Sequence, residues 1–198
     1  MRFRVYNRMN VSETNQLFFT LRKTSFGPAV VLWAIHQDRP RIYRVLLSKP
    51  GKTADRIVRS DFQNVRRSSC DEIDNVANRI VAFLSGEKIR FSLDIARMDL
   101  CSPFKQKVLR AEHGIPRGQV STYQRIARHI GDRNAARAVG TALATNPFPI
   151  IIPCHRAIRS DGNLGGYQGG LDMKRTLLTM EGIHFDDSGR IAIGKLYY

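Results

Sequence analysis

The sequence predicts an α+β fold in two parts: a strand-then-helix α/β domain over residues 1–101, and a mainly helical domain with a helix-turn-helix over residues 102–198. Three observations carry this reading. Runs rich in β-branched and aromatic residues crowd the first half. Ser102 followed by Pro103 is a helix-start signal at the boundary. Beyond it the apolar spacing is helical and punctuated by glycines.

Along the chain, "LFFTLRKTS", "AVVLWAIHQ" and "RIYRVLLS" read as strands, the last two joined by a turn-like "DRP". "KPGKT" leads into a short helix. Ser69 followed by Glu72 makes a capping box for a second helix. There Ile73, Val76, Ala77, Ile80 and Leu84 share one face and Gly86 ends the run. "RFSLDIA" alternates Phe91, Leu93 and Ile95, as a half-buried extended segment does. A helix over about 103–113 follows, ending at Gly114, and "IPRGQVST" is a loop. Thr122 caps a short helix whose less polar positions are Tyr123, Ile126, Ala127 and Ile130. Gly131 ends it, and Asn134 caps the next helix, "AARAVGTALAT". The three isoleucines at 150–152 read as a buried strand stopped by Pro153, and a last helix covers about 172–180.

Composition narrows the function. Thirty-two Lys+Arg against 17 Asp+Glu leave a formal charge of +15. Such an excess favours a polyanionic partner, because basic side chains release counterions condensed on nucleic acid. No stretch approaches the roughly 18 apolar residues of a membrane span. The opening "MRFRVYNRMN" lacks the apolar core of a secretory signal. The expected compartment is therefore the cytoplasm and nucleoid of a prokaryote, or the nucleus of a eukaryote. Cys70, Cys101 and Cys154 have no paired spacing, which argues against a disulfide framework. Without C-x-x-C or H-x-x-x-H, a structural zinc site is not expected.

Two helices joined through a glycine turn, in so basic a chain, match a helix-turn-helix. A major-groove reader presents long polar side chains to base edges. The second helix instead offers small residues, with Arg137 its one long polar side chain. Small residues allow close backbone approach, and a lone arginine can enter the stack where a base has been extruded. The same residues also suit tight helix–helix packing, and both readings stay open on this segment alone.

Cys154 divides in the same way. Free cysteine is often only a small buried hydrophobe. Here, however, it follows Pro153 at the end of an element, and His155 and Arg156 supply a positive field that favours thiolate. The glycines of "GNLGGYQGG" expose backbone amides to a planar ligand or its leaving oxygen. Glu181 stands at a helix C-terminus, against the macrodipole, a placement that calls for a partner such as histidine. A relay from Glu181 through His155 and a water to Cys154 would take the thiol proton.

"RNAARAVGTALATNP", "NPFPII" before "PCHR", and "GGYQGGLDMKRTLLTMEG" together resemble the O6-alkylguanine-DNA alkyltransferases, or methylated-DNA–protein-cysteine methyltransferases, over residues 104–182. The resemblance implies a ribonuclease-H-like N-terminal domain. It also implies irreversible transfer of an alkyl group from guanine O6, and from thymine O4, to Cys154, one lesion per molecule. On the matching positions His155 is the base, Glu181 its orienting carboxylate and Asn146 a hinge. Tyr123 helps rotate the nucleotide out and donates a proton. Arg137 is the finger that fills the gap, on a DNA-binding helix with Ala136, Ala138, Gly140 and Thr141. Gly165, Gly166, Tyr167 and Gln168 form the loop beside the base, with the backbone amide of Gln168 toward O6. The carbonyls of Cys154 and Ala157 face the exocyclic amine. The implied partner is double-stranded DNA bound through its minor groove by a monomer, with no cofactor, metal or membrane. Some relatives hold zinc in the N-terminal domain, but ahead of the boundary segment "DLCSPF" only Cys70 and His36 could serve here as soft ligands. Relatives with tryptophan at the cysteine position bind lesions without repair. A lesion-recognition regulator with an inert Cys154, and a cysteine hydrolase with His155 as base, are the competing classes.

Overall fold

The computed structural model describes residues 16–192 and 196–198; the "MRFRVYNRMN" segment lies outside the described residues. Strand β2 (Ala29–His36) organises the first half. Its run is continuously apolar because it lies inside a four-stranded sheet of order β3-β2-β1-β4, with both faces covered. Ala29, Val31 and Trp33 join the main core, while Val30 and Leu32 join a second cluster.

β1 (Phe18–Arg22) and β3 (Arg39–Leu47) pair antiparallel to β2, and the short β4 (Arg66–Arg67) runs parallel to β1. The β2–β3 turn is Gln37 and Asp38, both at positive φ, a two-residue hairpin suited to the strand twist. The expected "DRP" turn is thus shifted: Arg39 and Pro40 already belong to β3, an edge strand where proline is tolerated. A bulge opposite Leu32 and Trp33 lets Ile42 and Val45 face the same core although three positions separate them.

Helix α1 (Ala54–Asp61) covers one face, placing Ala54 and Val58 against Val30 and Leu32. Helix α2 (Asp71–Leu84) covers the other and buries Ile73, Val76, Ala77, Ile80 and Leu84 as its spacing predicts. The expected capping box does not form. The N-cap is Cys70, and the Ser69 hydroxyl donates to Asp74 instead. The segment "RFSLDIA" keeps its predicted alternation of burial without becoming a strand. A turn closed by Ala96 N–H to Leu93 O, at 3.0 Å, leaves only an isolated bridge between Ala96 and Ile42.

Helix α3 (Pro103–Gly114) starts at Ser102, whose hydroxyl accepts from the Lys105 amide. The loop after it ends in β5 (Ser121–Thr122), which pairs parallel with β6 (Ala157–Ile158). That pair fixes the start of helix α4 (Tyr123–His129) beside the residues that follow Cys154. Thr122 caps α4 as expected, accepting from the Arg125 amide at 3.2 Å. Helix α5 (Ala136–Ala144) is capped by Ala135, not by Asn134. Asp132 shapes that turn, accepting from the Asn134 amide through its side chain and from the Ala135 amide through its carbonyl. Helix α6 (Leu171–Met180) ends at Glu181. Among the described residues no helix is long and apolar enough to cross a membrane.

Candidate active site

Residues 150–152 are not the expected strand. The three isoleucines are buried, but the chain reverses there, with Ile150 at φ 74. That left-handed conformation costs a β-branched residue about 1–3 kcal/mol, and the surrounding structure must hold it. Asn146 does much of this. Its Nδ2 donates to Ile152 O at 3.1 Å and its Oδ1 accepts from the Phe148 amide at 2.9 Å. Pro153 follows, and Cys154–Arg156 form a single 3-10 turn. An asparagine-braced turn, not a strand end, therefore presents the cysteine.

His155 is fully buried, and its Nε2 lies 3.0 Å from Glu181 Oε1. With Nε2–H donating to the carboxylate, Nδ1 carries the free lone pair, and it has no hydrogen-bond partner among the described residues. Phe83 of α2 and Tyr167 both approach the imidazole edge-on, at ring separations of 5.8 and 6.2 Å. Burial lowers the His155 pKa, against the opposing pull of Glu181, so the ring rests neutral. Burial alone would raise the Glu181 pKa, but hydrogen bonds from His155 and Arg156 outweigh it and bring the value to about 2.

Arg156 does not provide the expected field for the thiol. Its guanidinium grips Glu181 through two contacts, Nε to Oε2 at 2.8 Å and Nη2 to Oε1 at 2.7 Å, and Nη1 donates to Ile115 O. The carboxylate thus offsets its charge. Burial pushes the Cys154 thiol up to about 12, which a neighbouring Asn146 side chain only partly opposes. The resting group is a neutral thiol, so a thiolate must be made by removing its proton.

Two fully buried groups were not singled out from the sequence. Lys174 on α6 donates to Ala157 O at 2.6 Å and to Leu164 O, tying β6 to the glycine loop. One lone pair of the Ala157 carbonyl is therefore engaged from behind. Glu112 on α3 has no hydrogen-bond partner for either oxygen among the described residues. Burial raises its pKa to about 8, although Lys174 and Arg156 lie near enough to favour the carboxylate. Neither residue carries a local sequence signal, because each matters only through partners distant along the chain.

The remaining residues gather around the cysteine turn. The half-buried Tyr123 places its hydroxyl 2.5 Å from where a Cβ on Gly165 would stand, so only glycine fits there. Gly165, at φ +66, therefore makes room for a phenol of the protein itself, while Gly166 faces open space. Burial pushes the Tyr123 hydroxyl up to about 12, with Glu112 and Cys154 adding to the shift. The Gln168 side chain is anchored to Asn146 O at 2.6 Å, joining the loop to the residue that braces the cysteine turn. On α5, Val139, Ala142 and Leu143 point inward, Ala136 and Gly140 are half-buried, and Arg137, Ala138, Thr141 and Ala144 are exposed. The small residues are thus divided between a packed face and a solvent face.

Residues 103–183 match the family model for the 6-O-methylguanine DNA methyltransferase, DNA binding domain. A methylated-DNA–protein-cysteine methyltransferase from Methanothermobacter thermautotrophicus is 42% identical over 114 residues, 58% of this chain and 64% of that protein. One from Methanosarcina mazei is 34% identical over 152 residues, 74% of this chain and 95% of that protein. The crystal structure of Mycobacterium tuberculosis OGT in complex with DNA superposes with a TM-score of 0.63 at 29% identity, covering 83% of this chain and 93% of that one. The chain spans under two thirds of the length of several curated relatives it matches. The match to the Methanosarcina protein nevertheless extends across nearly all of that relative, and the chain belongs to the methylated-DNA–protein-cysteine methyltransferase family.

Proposed function

We propose that this protein repairs alkylated DNA by moving the alkyl group from guanine O6, and from thymine O4, onto its own Cys154. The observation that carries the proposal is a buried thiol one residue from a neutral imidazole whose far nitrogen is held by a carboxylate. Nδ1 of His155 accepts the thiol proton through a water, and Glu181 stabilises the resulting imidazolium. The sulfur pair forms the C–S bond as the C–O6 bond breaks. Tyr123 gives its hydroxyl proton to the departing guanine, and the proton on His155 returns to the phenolate through solvent. A soft thiolate suits displacement at saturated carbon, and protonation makes guanine a competent leaving group. The thioether cannot be hydrolysed, so each molecule acts once.

The target base reaches Cys154 by rotating out of the duplex, with α5 in the minor groove and Arg137 in the vacated space. Ala136, Ala138, Gly140 and Thr141 permit the close approach. Gly165, Gly166, Tyr167 and the Gln168 amide flank the base, and the carbonyls of Cys154 and Ala157 receive its exocyclic amine. We assign residues 1–101 to a ribonuclease-H-like domain, a reading that the β3-β2-β1-β4 order with a parallel β4 supports, and residues 102–198 to the reacting domain. The protein acts as a monomer.

The test is incubation with a duplex carrying O6-methylguanine, followed by peptide mapping. One methyl on Cys154 per lesion lost is the expected outcome. Lesion binding with Cys154 unmodified would identify a recognition protein, and turnover beyond one equivalent would identify a hydrolase.

A further inference from the structure

Helix α5 carries a single cation, Arg137, in the sequence ARAVGTALA. Duplex binding in so basic a protein needs phosphate contacts that this helix cannot supply. Its exposed stripe Arg137, Thr141 and Ala144 runs at helical spacing towards the N-terminal half. At Ala144 the stripe meets a cleft of about 400 Å³. One wall of the cleft is Tyr167, Gln168 and Gly170 of the active-site loop; the other comes from β3, the loop after it and α1.

The far wall carries Arg44, Lys49 and Lys52 against one carboxylate, Asp61, which pairs with Lys52 at 3.2 Å. Lys49 is exposed. The walls are held together at two points. The Val45 amide of β3 donates to Pro147 O at 2.8 Å. Pro50 packs so closely on Gly170 that a Cβ there would lie 3.2 Å from the proline ring. The positive wall therefore stands at a set place relative to α5 and to the cysteine turn.

We infer that this cleft is a second nucleic-acid contact, in which Lys49 and Lys52 of the N-terminal half hold a phosphodiester of the strand that α5 engages. The inference rests on the alkyl-transfer reading for its partner and adds the element that anchors it. The cleft would bind backbone and not base, so its contribution is independent of sequence and sensitive to salt. The Lys52–Asp61 pair opens as the phosphate takes the ammonium.

The experiment measures affinity for an undamaged duplex across a salt series, for the wild type, Lys49→Ala, Lys49→Glu and the double variant Lys49→Ala/Lys52→Ala. Reaction with free O6-benzylguanine is followed in parallel. Loss of one phosphate contact reduces the slope of log K against log salt by about 0.9. The double variant should show that reduction with roughly fivefold to tenfold weaker binding at low salt, Lys49→Glu should bind more weakly than Lys49→Ala, and reaction with the free base should stay within twofold. An unchanged slope and affinity would overturn the inference. So would an equal fall in the free-base reaction, which would make the cleft part of the reacting pocket. If the wild type leaves Cys154 unmodified by a duplex carrying O6-methylguanine, the alkyl-transfer reading falls, while the salt series still decides whether the cleft binds DNA.

Discussion

At the scale of single residues, the proposed site sets a neutral imidazole beside a neutral thiol. His155 is neutral because burial lowers its pKa, and Glu181 stays ionised down to about pH 2. The single-turnover rate should therefore be level near pH 7 and fall in acid, through a midpoint below the ordinary 6.5 of histidine. Stopped assays of Cys154 alkylation across pH would check this, and a midpoint above 6.5 would count against a neutral resting imidazole. His155→Ala should slow transfer by about a hundredfold or more, the usual weight of a positioned base. Glu112 makes a different prediction, about stability. Its folded pKa of about 8 lies above the ordinary carboxyl value of 4.5, so the folded state keeps a proton that the unfolded chain has lost. Stability is unaffected by this group below pH 4.5 and declines as pH rises to about 8, by an amount on the order of 5 kcal/mol. Glu112→Leu should remove that decline and raise Tm at pH 8 by several degrees, read by calorimetry at pH 4.5 and 8. An equal change at both values would show that packing, not ionisation, sets the effect. Cys154, His155 and Glu181 were legible from the sequence because a helix-end carboxylate and a cysteine–histidine step are local signals. Arg156 as the clamp on Glu181, Phe83 against the imidazole, and the buried Glu112 and Lys174 were not, because their meaning lies in contacts from other elements.

At the scale of elements, the helices were the legible part, since a 3.6-residue period and a cap record both burial and conformation. Thr122 and Ser102 cap as their positions suggest, and α2 buries the face that its spacing defines. The errors fall where one signal served two structures. An apolar run records burial alone, so residues 150–152 could be strand or turn. The brace that decides for the turn is Asn146, outside the run. Asn146→Ala would leave the Phe148 amide unsatisfied in the interior, at about 1–3 kcal/mol, while the Ile152 carbonyl keeps the Cys154 amide as a donor. Chemical denaturation should show that loss, together with slower alkylation of Cys154; full stability would mean that the turn holds without its brace. On α5, Arg137 is exposed. Arg137→Ala should weaken repair of O6-methylguanine in duplex by tenfold or more and leave the reaction with free O6-benzylguanine within twofold. Equal losses on both substrates would remove the finger role.

At the scale of the molecule, the two halves share one core, and this explains why the N-terminal sheet bears on a site built mostly from the second half. Trp33, Ile42, Val45 and Phe83 lie in the same buried cluster as Leu109, Phe148, Ile150 and Cys154. The β3 edge is also bonded to the cysteine-bearing turn through Val45 and Pro147. The second cluster, around Val30, Leu32, Leu46 and Val58, lies on the far face of the sheet under α1. Two large-to-small changes should therefore behave differently although both empty a buried site. Leu32→Ala should destabilise by about 2–5 kcal/mol, and well below its Tm it should alkylate Cys154 at the wild-type rate. Phe148→Ala, at about 3–5 kcal/mol, removes a side chain from the turn that Asn146 braces, two positions before Ile150. It should slow alkylation at least tenfold at a temperature where both variants are fully folded by circular dichroism. Were the two variants to alkylate at the same rate, stability alone would govern the site, and the shared core would have no bearing on how Cys154 is presented.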